Sequence, residues 1–499
     1  MSLEHEPRRR VDPAGEVRVG ARRQAEAISR HMVVFAAIAV VFIVMCSLIA
    51  LDYLFVQETH RVIKVLLGVV ALGAILAMPR VGLVLLPVVT PFLPWVPPAP
   101  IPGLNPLNVL LFSIFGTFAL SRILARQEVF RPTRLGRLVG LLLLLCLLSI
   151  FRGAAVPTGY IYDARATGLQ LFRAATTFAP YFIYLAMIRD RAERRRVSWA
   201  ILVGLLLEGL ITLKLGRNGS GQRATGTIGQ SNELGAYLAI FTVFGAALIA
   251  GTKNWFGKLS LAAIAGLGAF GILLSLSRGS MLALIAGLLV VAWRSSKWVV
   301  GILIAALLLG PLWLPDYVVD RINSSSVQAE GSDEATVDMA AEARLETWRT
   351  ILTVVQEHPL DGVGFAGLAY VLPDVGSELG LEEVKDSAHN TFLRMLSEMG
   401  ALGLVLFLWL LWKAWRLGDE GVRRARDGFD RSVAVGLCGA VVTMAVSCAF
   451  GDRFFNVIIS SGFWILCALV DNQLALTPPA AAPAPRLVPP RRRFLKALA

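Results

Sequence analysis

A histidine stands where a long polar segment of the chain gives way to an apolar one, in Ser387-Ala388-His389-Asn390. Asn390 has the side chain of a helix N-cap, so His389 is expected directly before a helix. An imidazole titrates near neutral pH and can take a proton from a hydroxyl nucleophile, which makes His389 the candidate catalytic residue. A capping or interfacial role is the alternative interpretation. The other histidines have weaker contexts, in a tail, at the ends of the first apolar run or beside a proline: His5, His31, His60 and His358.

Three arginines are expected at the same membrane face as His389. Arg223 lies in the Gly-rich stretch GSGQRATGTIGQSN, Arg278 interrupts an apolar hairpin in SLSRGS, and Arg344 precedes Trp348 by one helical turn. Exposed amides and guanidinium groups together bind phosphate oxygens, so the three arginines suggest a site for a membrane-bound polyanion such as a lipid diphosphate. Alternatively, each arginine reaches the lipid headgroups or pairs with an acid. Weaker candidates are Arg152, Arg165, Arg173, Arg349 and Arg453.

The other residue types that could carry chemistry indicate no cofactor. No group of His, Asp or Glu has metal-ligand spacing, and no nucleotide-binding glycine motif is present. Glu208 and Glu398 lie inside apolar runs, where we favour a structural hydrogen-bonding role over a proton path. The five cysteines also lie in apolar runs and are expected to be inert: Cys46, Cys146, Cys438, Cys448 and Cys467.

The composition predicts an all-α, polytopic membrane bundle. Of 499 residues, 56% are hydrophobic and 17% charged, with a mean hydropathy of +0.65, which exceeds what one soluble core can hide. Apolar runs of roughly 17 to 25 residues match the ~30 Å thickness of the hydrocarbon layer, so the spans should be helices. The net charge of +13 is concentrated in alternate short loops, which is the positive-inside pattern rather than a nucleic-acid surface.

Fourteen spans are predicted in a bundle of about 12–14 helices, with the Pro-rich third one the weakest. They lie at about 32–56, 62–79, 81–96, 107–123, 135–151, 167–189, 197–215, 232–251, 256–276, 280–293, 298–314, 391–416, 432–450 and 454–471. Loop charge then places both termini inside and the long polar segment outside. The resulting domains are a basic cytoplasmic tail without a cleaved signal (1–31), transmembrane helices (32–314), a long periplasmic loop (315–390), C-terminal transmembrane helices (391–473) and a disordered cytoplasmic tail (474–499).

The long periplasmic loop has its own predicted structure. It holds fifteen Asp or Glu against four Lys or Arg, opposite in sign to the cytoplasmic loops. Residues 334–356 carry apolar side chains at spacings of three and four, which predicts an amphipathic helix with Leu345, Trp348, Leu352 and Val355 on one face. Residues 371–384 are expected to be irregular or to form a short acidic helix.

Four segments in this order resemble the O-antigen ligase and O-antigen polymerase family. They are RATGTIGQSNELGAYL at 223–238, LSLSRGSMLAL at 274–284, ARLETWRTILTVVQEHPLDGVG at 343–364 and SAHNTFLRMLSEMGALGL at 387–404. The resemblance covers about residues 200–416. The fourteen spans exceed the dozen or so common in the family, and the two tails are additions.

The resemblance implies glycan transfer at the periplasmic face of the bacterial inner membrane. Family members take a saccharide from an undecaprenyl-diphosphate carrier and join it to an acceptor sugar hydroxyl, without metal or nucleotide. Carried onto this chain, His389 activates or orients the acceptor hydroxyl, and Arg223, Arg278 and Arg344 hold the diphosphate and stabilise the leaving group. Inversion at the anomeric carbon would follow from direct displacement. The implied partners are the carrier-linked donor, a glycan or lipid A core acceptor, membrane lipids and polysaccharide-assembly proteins, and no nucleic acid.

Three other assignments stay open beside the leading one, a polymerase of a surface polysaccharide or exopolysaccharide. A ligase shares the donor but transfers the glycan to lipid A core or a protein. A transporter or flippase of lipid-linked saccharides should place its charges along a path through the bilayer, whereas these candidate cations gather at one face. A non-catalytic assembly scaffold would leave His389 dispensable.

Overall fold

The computed structural model describes residues 73–75, 78–95, 106–155, 162–216, 223–295, 327–328, 335–336, 339–379 and 387–476. The predicted spans 32–56 and 298–314, most of 62–79, the predicted tail 1–31 and residues 477–499 of the second predicted tail lie outside the described residues. The chain divides into two compact units, Met1–Val129 and Phe130–Ala499.

The first unit contains a short helix and a longer one. Helix α1 (Pro79–Val89) starts on a proline, continues into a 3-10 helix (Thr90–Trp95), and is followed by α2 (Pro106–Leu124). A proline at the first helical position loses no hydrogen bond, whereas Pro87 and Pro94 lie inside the two helical segments. Gly82 permits close packing, because a Cβ atom there would lie 2.4 Å from Ile114 Cγ1. The Pro-rich segment predicted as a span is therefore helical, and its crossing of the bilayer stays a prediction.

The second unit carries the remaining described helices and one two-residue strand pair. The helices are α3 (Gly136–Ala155), α4 (Ala164–Met187), α5 (Arg191–Gly216), α6 (Ser231–Gly251), α7 (Trp255–Ser275), α8 (Arg278–Ser295), α9 (Met339–Glu357), α10 (Leu368–Glu378), α11 (Thr391–Arg423), α12 (Gly428–Ala449) and α13 (Val457–Leu476). Strands β1 (Val327–Gln328) and β2 (Ala335–Thr336) pair antiparallel, with Val327 opposite Thr336.

Nine of the described helices are long and apolar enough to cross a membrane: α2, α3, α5, α6, α7, α8, α11, α12 and α13. Helix α6 packs against α7, α8 and α12, α11 packs against α12, and α13 packs against α4. Most side chains of α6, α12 and α13 are buried, so these three helices form the centre of the unit. An aromatic group around Trp464, with Phe178, Tyr181 and Phe454, joins α13 to α4. The predicted all-α polytopic membrane bundle is thus confirmed.

Helix α9 covers most of the predicted amphipathic segment 334–356 and ends one residue beyond it. Its buried residues include Ile351 and Val354, and Trp348 and Val355 pack against Ile351 or its neighbours. Leu345 and Leu352, on the same predicted apolar face as Trp348, are 45% and 46% exposed. Helical spacing identifies apolar stripes but not which of two adjacent stripes meets the core. Helix α10 occupies the start of the segment expected to be irregular or a short acidic helix.

A break in α11 receives the loop that follows α9. At Gly400 the backbone has φ 65° and ψ −167°, which interrupts the helix. Val363 N donates to Ser397 O at 2.8 Å, Gly364 N to Glu398 O at 2.9 Å, and Ala401 N to Pro359 O at 2.9 Å. Since carbonyls at a helix break lose their usual donors, the loop satisfies groups that would otherwise be unpaired.

Two glycines make this close approach possible. A Cβ atom on Gly364, whose φ is +97°, would lie 2.3 Å from Gly153 Cα in α3. A Cβ atom on Gly400 would lie 2.0 Å from Leu360 O. The loop is therefore packed between the last turn of α3 and the break in α11.

An ion pair closes the outer edge of the same loop. Arg152, near the end of α3, donates to Asp361 Oδ2 at 2.5 Å and to His358 Nδ1 at 3.1 Å. Burial alone would raise the pKa of Asp361, but the hydrogen bond and charge of Arg152 outweigh it and hold that pKa below its ordinary value. Arg152, a weaker site candidate from sequence, thus pairs with the loop.

Buried polar residues tie the helices together at the opposite end of the unit. Asp471 of α13 accepts hydrogen bonds from Tyr181 and from the side chain and backbone amide of Arg134. Arg194 of α5 is buried and donates to Asp430 of α12 and to the side chain of Asn472, both at 3.1 Å. Since a buried charge needs a partner, these contacts fix the register of α5, α12 and α13 at this end of the unit.

Candidate functional site

His389 lies in a strained turn directly before α11. Its φ is +46°, in the left-handed region that residues other than glycine rarely occupy. Asn390 caps the helix by accepting from Phe392 N at 3.0 Å and Leu393 N at 3.2 Å, which confirms the predicted N-cap. Trp348 Nε1 of α9 donates to Ala388 O at 2.9 Å. The turn is therefore held from α9 on one side and from α11 on the other, and His389 is partly buried between them.

The connection between α12 and α13, residues 450–456, holds the His389 turn from a third side. We refer to it as the 450–456 loop. Ser387 Oγ donates to Asp452 Oδ2 at 2.7 Å, and Thr391 Oγ1 donates to Gly451 O at 2.9 Å. The second carboxylate oxygen, Asp452 Oδ1, is buried and has no hydrogen-bond partner among the described residues. A buried oxygen without a donor is costly, so this atom is a ready acceptor for a ligand hydroxyl or a water molecule.

Arg453, the next residue of the 450–456 loop, points to α6 instead. Its Nη1 lies 3.3 Å from Glu233 Oε1 and donates to Gln230 Oε1 at 3.5 Å. Burial lowers the pKa of the Arg453 guanidinium, Glu233 and Asp452 oppose this, and the positive charge of Arg344 adds to the lowering. Arg344 is therefore close enough to Arg453 for their charges to repel each other.

Arg223 is positioned by the loop between α5 and α6. Its Nε donates to Ser275 O at 3.1 Å, and its Nη2 donates to Asn232 Oδ1 at 2.6 Å, one residue before Glu233. Glu208 of α5 anchors the same loop, because its carboxylate accepts hydrogen bonds from Thr227 N at 2.9 Å and from Thr227 Oγ1 at 2.5 Å. Glu208 therefore has the structural hydrogen-bonding role that the sequence suggested.

Arg278 is the first residue of α8, after a turn in which Leu276 has a positive φ of 50°. The next residue, Gly279, lies against Phe450, since a Cβ atom on Gly279 would be 2.7 Å from Phe450 Cβ. The start of α8 thus touches the start of the 450–456 loop. Arg344 lies in α9 one helical turn before Trp348, the residue that contacts the His389 turn.

A further arginine, which the sequence analysis did not single out, lies in the first part of α11. Arg394 Nε is 3.2 Å from both carboxylate oxygens of Glu398. The Arg394 guanidinium also lies 5.5 Å from the ring centre of Phe455 and 5.9 Å from that of Phe365. Glu398 is thus half of a buried ion pair beside the loop that fills the α11 break, in agreement with a structural role.

Three of the four predicted site residues belong to, or are held by, segments that contact the 450–456 loop, and the fourth, Arg344, lies in α9, which contacts the His389 turn. The His389 turn contacts the 450–456 loop through Ser387, the start of α8 through Gly279, and α6, which holds Arg223, through Glu233. Arg344 acts on it through its charge. Of the weaker candidates, Arg453 belongs to this loop, Arg152 pairs with Asp361 away from it, and Arg165, Arg173 and Arg349 are exposed.

The sequence analysis did not single out Asp452 or Glu233, and it gave Arg453 only as a weaker candidate. Asp452 and Arg453 follow an apolar run in the short sequence Gly451-Asp452-Arg453, which looks like an ordinary loop between two spans. The available signal was two adjacent charges at a membrane boundary on the predicted outer face, where charged groups are expensive.

Comparisons with known proteins give one finding for this region. Residues 262–408 match the family model described as O-antigen ligase, and this range includes Arg278, Arg344 and His389 but not Arg223. A comparison with curated proteins finds no match. Together with the nine apolar helices, the family match indicates a multi-pass bacterial membrane protein. Residues 262–408 are therefore similar to the O-antigen ligase family, which supports the family resemblance stated from sequence, and members of this family are glycosyltransferase-like enzymes.

Proposed function

We propose that the protein transfers a saccharide from an undecaprenyl-diphosphate-linked donor to a sugar hydroxyl at the periplasmic face of the inner membrane, without a metal ion. In this reaction the acceptor oxygen forms a bond to the anomeric carbon while the bond from that carbon to the diphosphate oxygen breaks. The acceptor hydroxyl loses a proton and the carrier diphosphate leaves with the bonding electrons. The site must therefore bind a polyanion and accept a proton.

The arginines supply the first requirement. Arg223, Arg278 and Arg344 hold the diphosphate oxygens and stabilise the charge that develops on the leaving group. Buried Arg453, whose pKa is lowered by burial and in smaller part by the charge of Arg344, adds positive charge to the same region, and positive charge favours a bound anion. Glu233 offsets part of the charge of Arg453.

His389 supplies the second requirement. Its imidazole accepts the proton of the acceptor hydroxyl, and Asp452, with one buried oxygen unsatisfied, offers the hydroxyl or a bound water a second acceptor. The strained backbone at His389 also favours a functional role, because such strain persists only where the surroundings hold the residue in place. The observation that carries the proposal is that the 450–456 loop contacts the His389 turn, the start of α8 and the start of α6, which bear or hold three of the four predicted site residues.

The direct test is transfer from a synthetic carrier-linked oligosaccharide by purified full-length protein carrying His389→Ala or His389→Asn. Asparagine tolerates a positive φ, so the second variant removes the base with little added backbone strain. Loss of a general base typically slows a reaction by about 10²- to 10⁴-fold, and we expect a loss in this range from both variants. His358→Ala, at a histidine that pairs with Arg152, is the matched control and should retain transfer. Transfer at the unsubstituted rate by both His389 variants would exclude the base role.

The arginines are tested by separating donor from acceptor dependence. Arg278→Ala and Arg344→Ala should weaken the use of the carrier-linked donor more than the use of the acceptor, since they are proposed to bind only the diphosphate. An unchanged donor concentration dependence in both variants would contradict this assignment.

The product distinguishes polymerase from ligase. We propose a polymerase of a surface polysaccharide or exopolysaccharide, which forms a ladder of products from the donor alone. In the alternative, a ligase, product appears only when lipid A core or a protein acceptor is added. A flippase of lipid-linked saccharides would instead translocate the donor in vesicles without forming any glycosidic bond.

A further inference from the structure

A cavity lies at the opposite end of α8 and α12 from the 450–456 loop. Helix α8 begins beside Phe450 and runs for 18 residues to Ser295, a length of about 27 Å. Its last turns, the end of α11 and the start of α12 enclose a cavity of about 550 Å³ that is open on one side. The cavity therefore faces the other leaflet of a bilayer that α8 spans.

The lining of this cavity combines an apolar wall with a cationic rim. The described lining residues are Leu289, Val290, Trp293, Arg294, Trp415, Val422 and Arg431, with no acidic side chain among them. The apolar wall is made by side chains of spanning helices, and Trp293 is 73% exposed. Indole rings with one apolar and one polar edge are typical of the depth at which lipid headgroups lie.

The cationic rim consists of Arg294 and Arg431, and each of them contacts side chains or backbone beside the cavity. Arg294 lies 4.8 Å from the ring centre of Trp415 and donates through both terminal nitrogens to Asp419 Oδ1 at 3.0 Å. Asp419 also pairs with Arg423, so its single charge is shared between two guanidinium groups. Arg431 donates to Arg294 O at 3.4 Å, and its side chain lies at the exposed mouth of the cavity. The region therefore keeps a net positive charge.

We propose that this cavity binds one anionic phospholipid of the leaflet opposite the 450–456 loop. The headgroup phosphate contacts Arg431 and Arg294, and the upper part of one acyl chain lies along Leu289, Val290 and Val422. A free anion would use only the rim and leave the apolar wall in water, whereas a lipid satisfies both. Basic pockets between transmembrane helices are known to select acidic lipids in this way.

The test is native mass spectrometry of the purified full-length protein, titrated with phosphatidylglycerol or with phosphatidylcholine of the same acyl chains. The unsubstituted protein should bind one lipid molecule saturably, and it should bind phosphatidylglycerol more tightly than phosphatidylcholine. Arg431→Gln should weaken that binding about fivefold, the effect of one basic residue near an anionic surface. Val422→Trp, which fills the cavity, should block it.

Arg426→Gln is the matched control, because Arg426 is exposed nearby but does not line the cavity. Equal binding of the two lipids to the unsubstituted protein, or an equal loss in Arg426→Gln and Arg431→Gln, would overturn the proposal. Displacement of phosphatidylglycerol by inorganic phosphate at millimolar concentration would identify an anion site and would overturn it as well. If Val422→Trp does not fold, the comparison between the two arginine variants decides alone.

Discussion

Replacing Gly364 with alanine should release the loop that fills the break in α11. The new Cβ atom would lie 2.3 Å from Gly153 Cα and 2.4 Å from Gly153 N. These are backbone atoms, so no side-chain rotation relieves the clash, and overpacking of this kind costs about 1–3 kcal/mol. The φ of +97° adds about 1–2 kcal/mol for a residue with a Cβ atom.

A second glycine separates the clash from the backbone strain. Gly229 has a similar φ of +85°, but a Cβ atom there meets nothing within 4 Å. Gly229→Ala should therefore cost only the strain, about 1–2 kcal/mol. The difference of about 1–3 kcal/mol corresponds to about 5- to 150-fold in the equilibrium between closed and open loop.

Hydrogen exchange measures this opening directly. In the closed loop the Val363 amide is bonded to Ser397 O, and amides exchange in proportion to the population of the open state when opening is fast. Gly364→Ala should increase hydrogen exchange in the 358–367 peptide. This increase should be larger than the one that Gly229→Ala causes in the 223–232 peptide. Equal increases would refute the steric argument, and an unchanged 358–367 peptide would show that the loop does not depend on the approach to Gly153.

Two further predictions concern buried polar contacts. Arg194→Met leaves the buried carboxylate of Asp430 without its closest cation, so we expect the free energy of unfolding to fall by about 3–5 kcal/mol. The control is Arg424→Met, which breaks an exposed ion pair and should cost about 0–1 kcal/mol. Equal effects of the two variants in denaturant titrations would contradict this. Glu208→Ala removes two hydrogen-bond acceptors of Thr227 and should speed tryptic cleavage after the neighbouring arginine at position 223, whereas Glu208→Gln retains one acceptor and should change cleavage less. Identical cleavage rates would refute the anchoring role.

The sequence was sufficient to predict the helices because an apolar run of membrane length has few alternatives to a helix. It was less informative about where helices end. The predicted span 391–416 stops where hydrophobicity stops, yet α11 continues to Arg423, since charged residues such as Arg and Glu are good helix formers outside the bilayer. No proline in the sequence signals the break at Gly400, because the break is stabilised by backbone N–H donors from the loop after α9.

For the candidate site, single residues could be identified from the sequence, but their partners could not. Asn390 was predicted as a cap because capping is local and acts over three residues. The bond from Ser387 to Asp452 joins residues 65 positions apart, and Arg453 pairs with Glu233, which lies much earlier in the chain. Such contacts follow from how helices pack, and a single sequence carries no direct record of that packing.

Asp452 and Arg453 are adjacent in the chain but contact different sides of the site. Asp452 receives Ser387 from the His389 turn, whereas Arg453 contacts α6 next to the asparagine that holds Arg223. In the proposed reaction the first side serves the acceptor and the second serves the donor. A shift of this loop would therefore move the acceptor and donor groups relative to each other, and direct displacement requires the two reacting atoms to be aligned within a fraction of an ångström. We expect the buried, fully packed Phe454 behind the two charges to matter for transfer because it fixes that alignment.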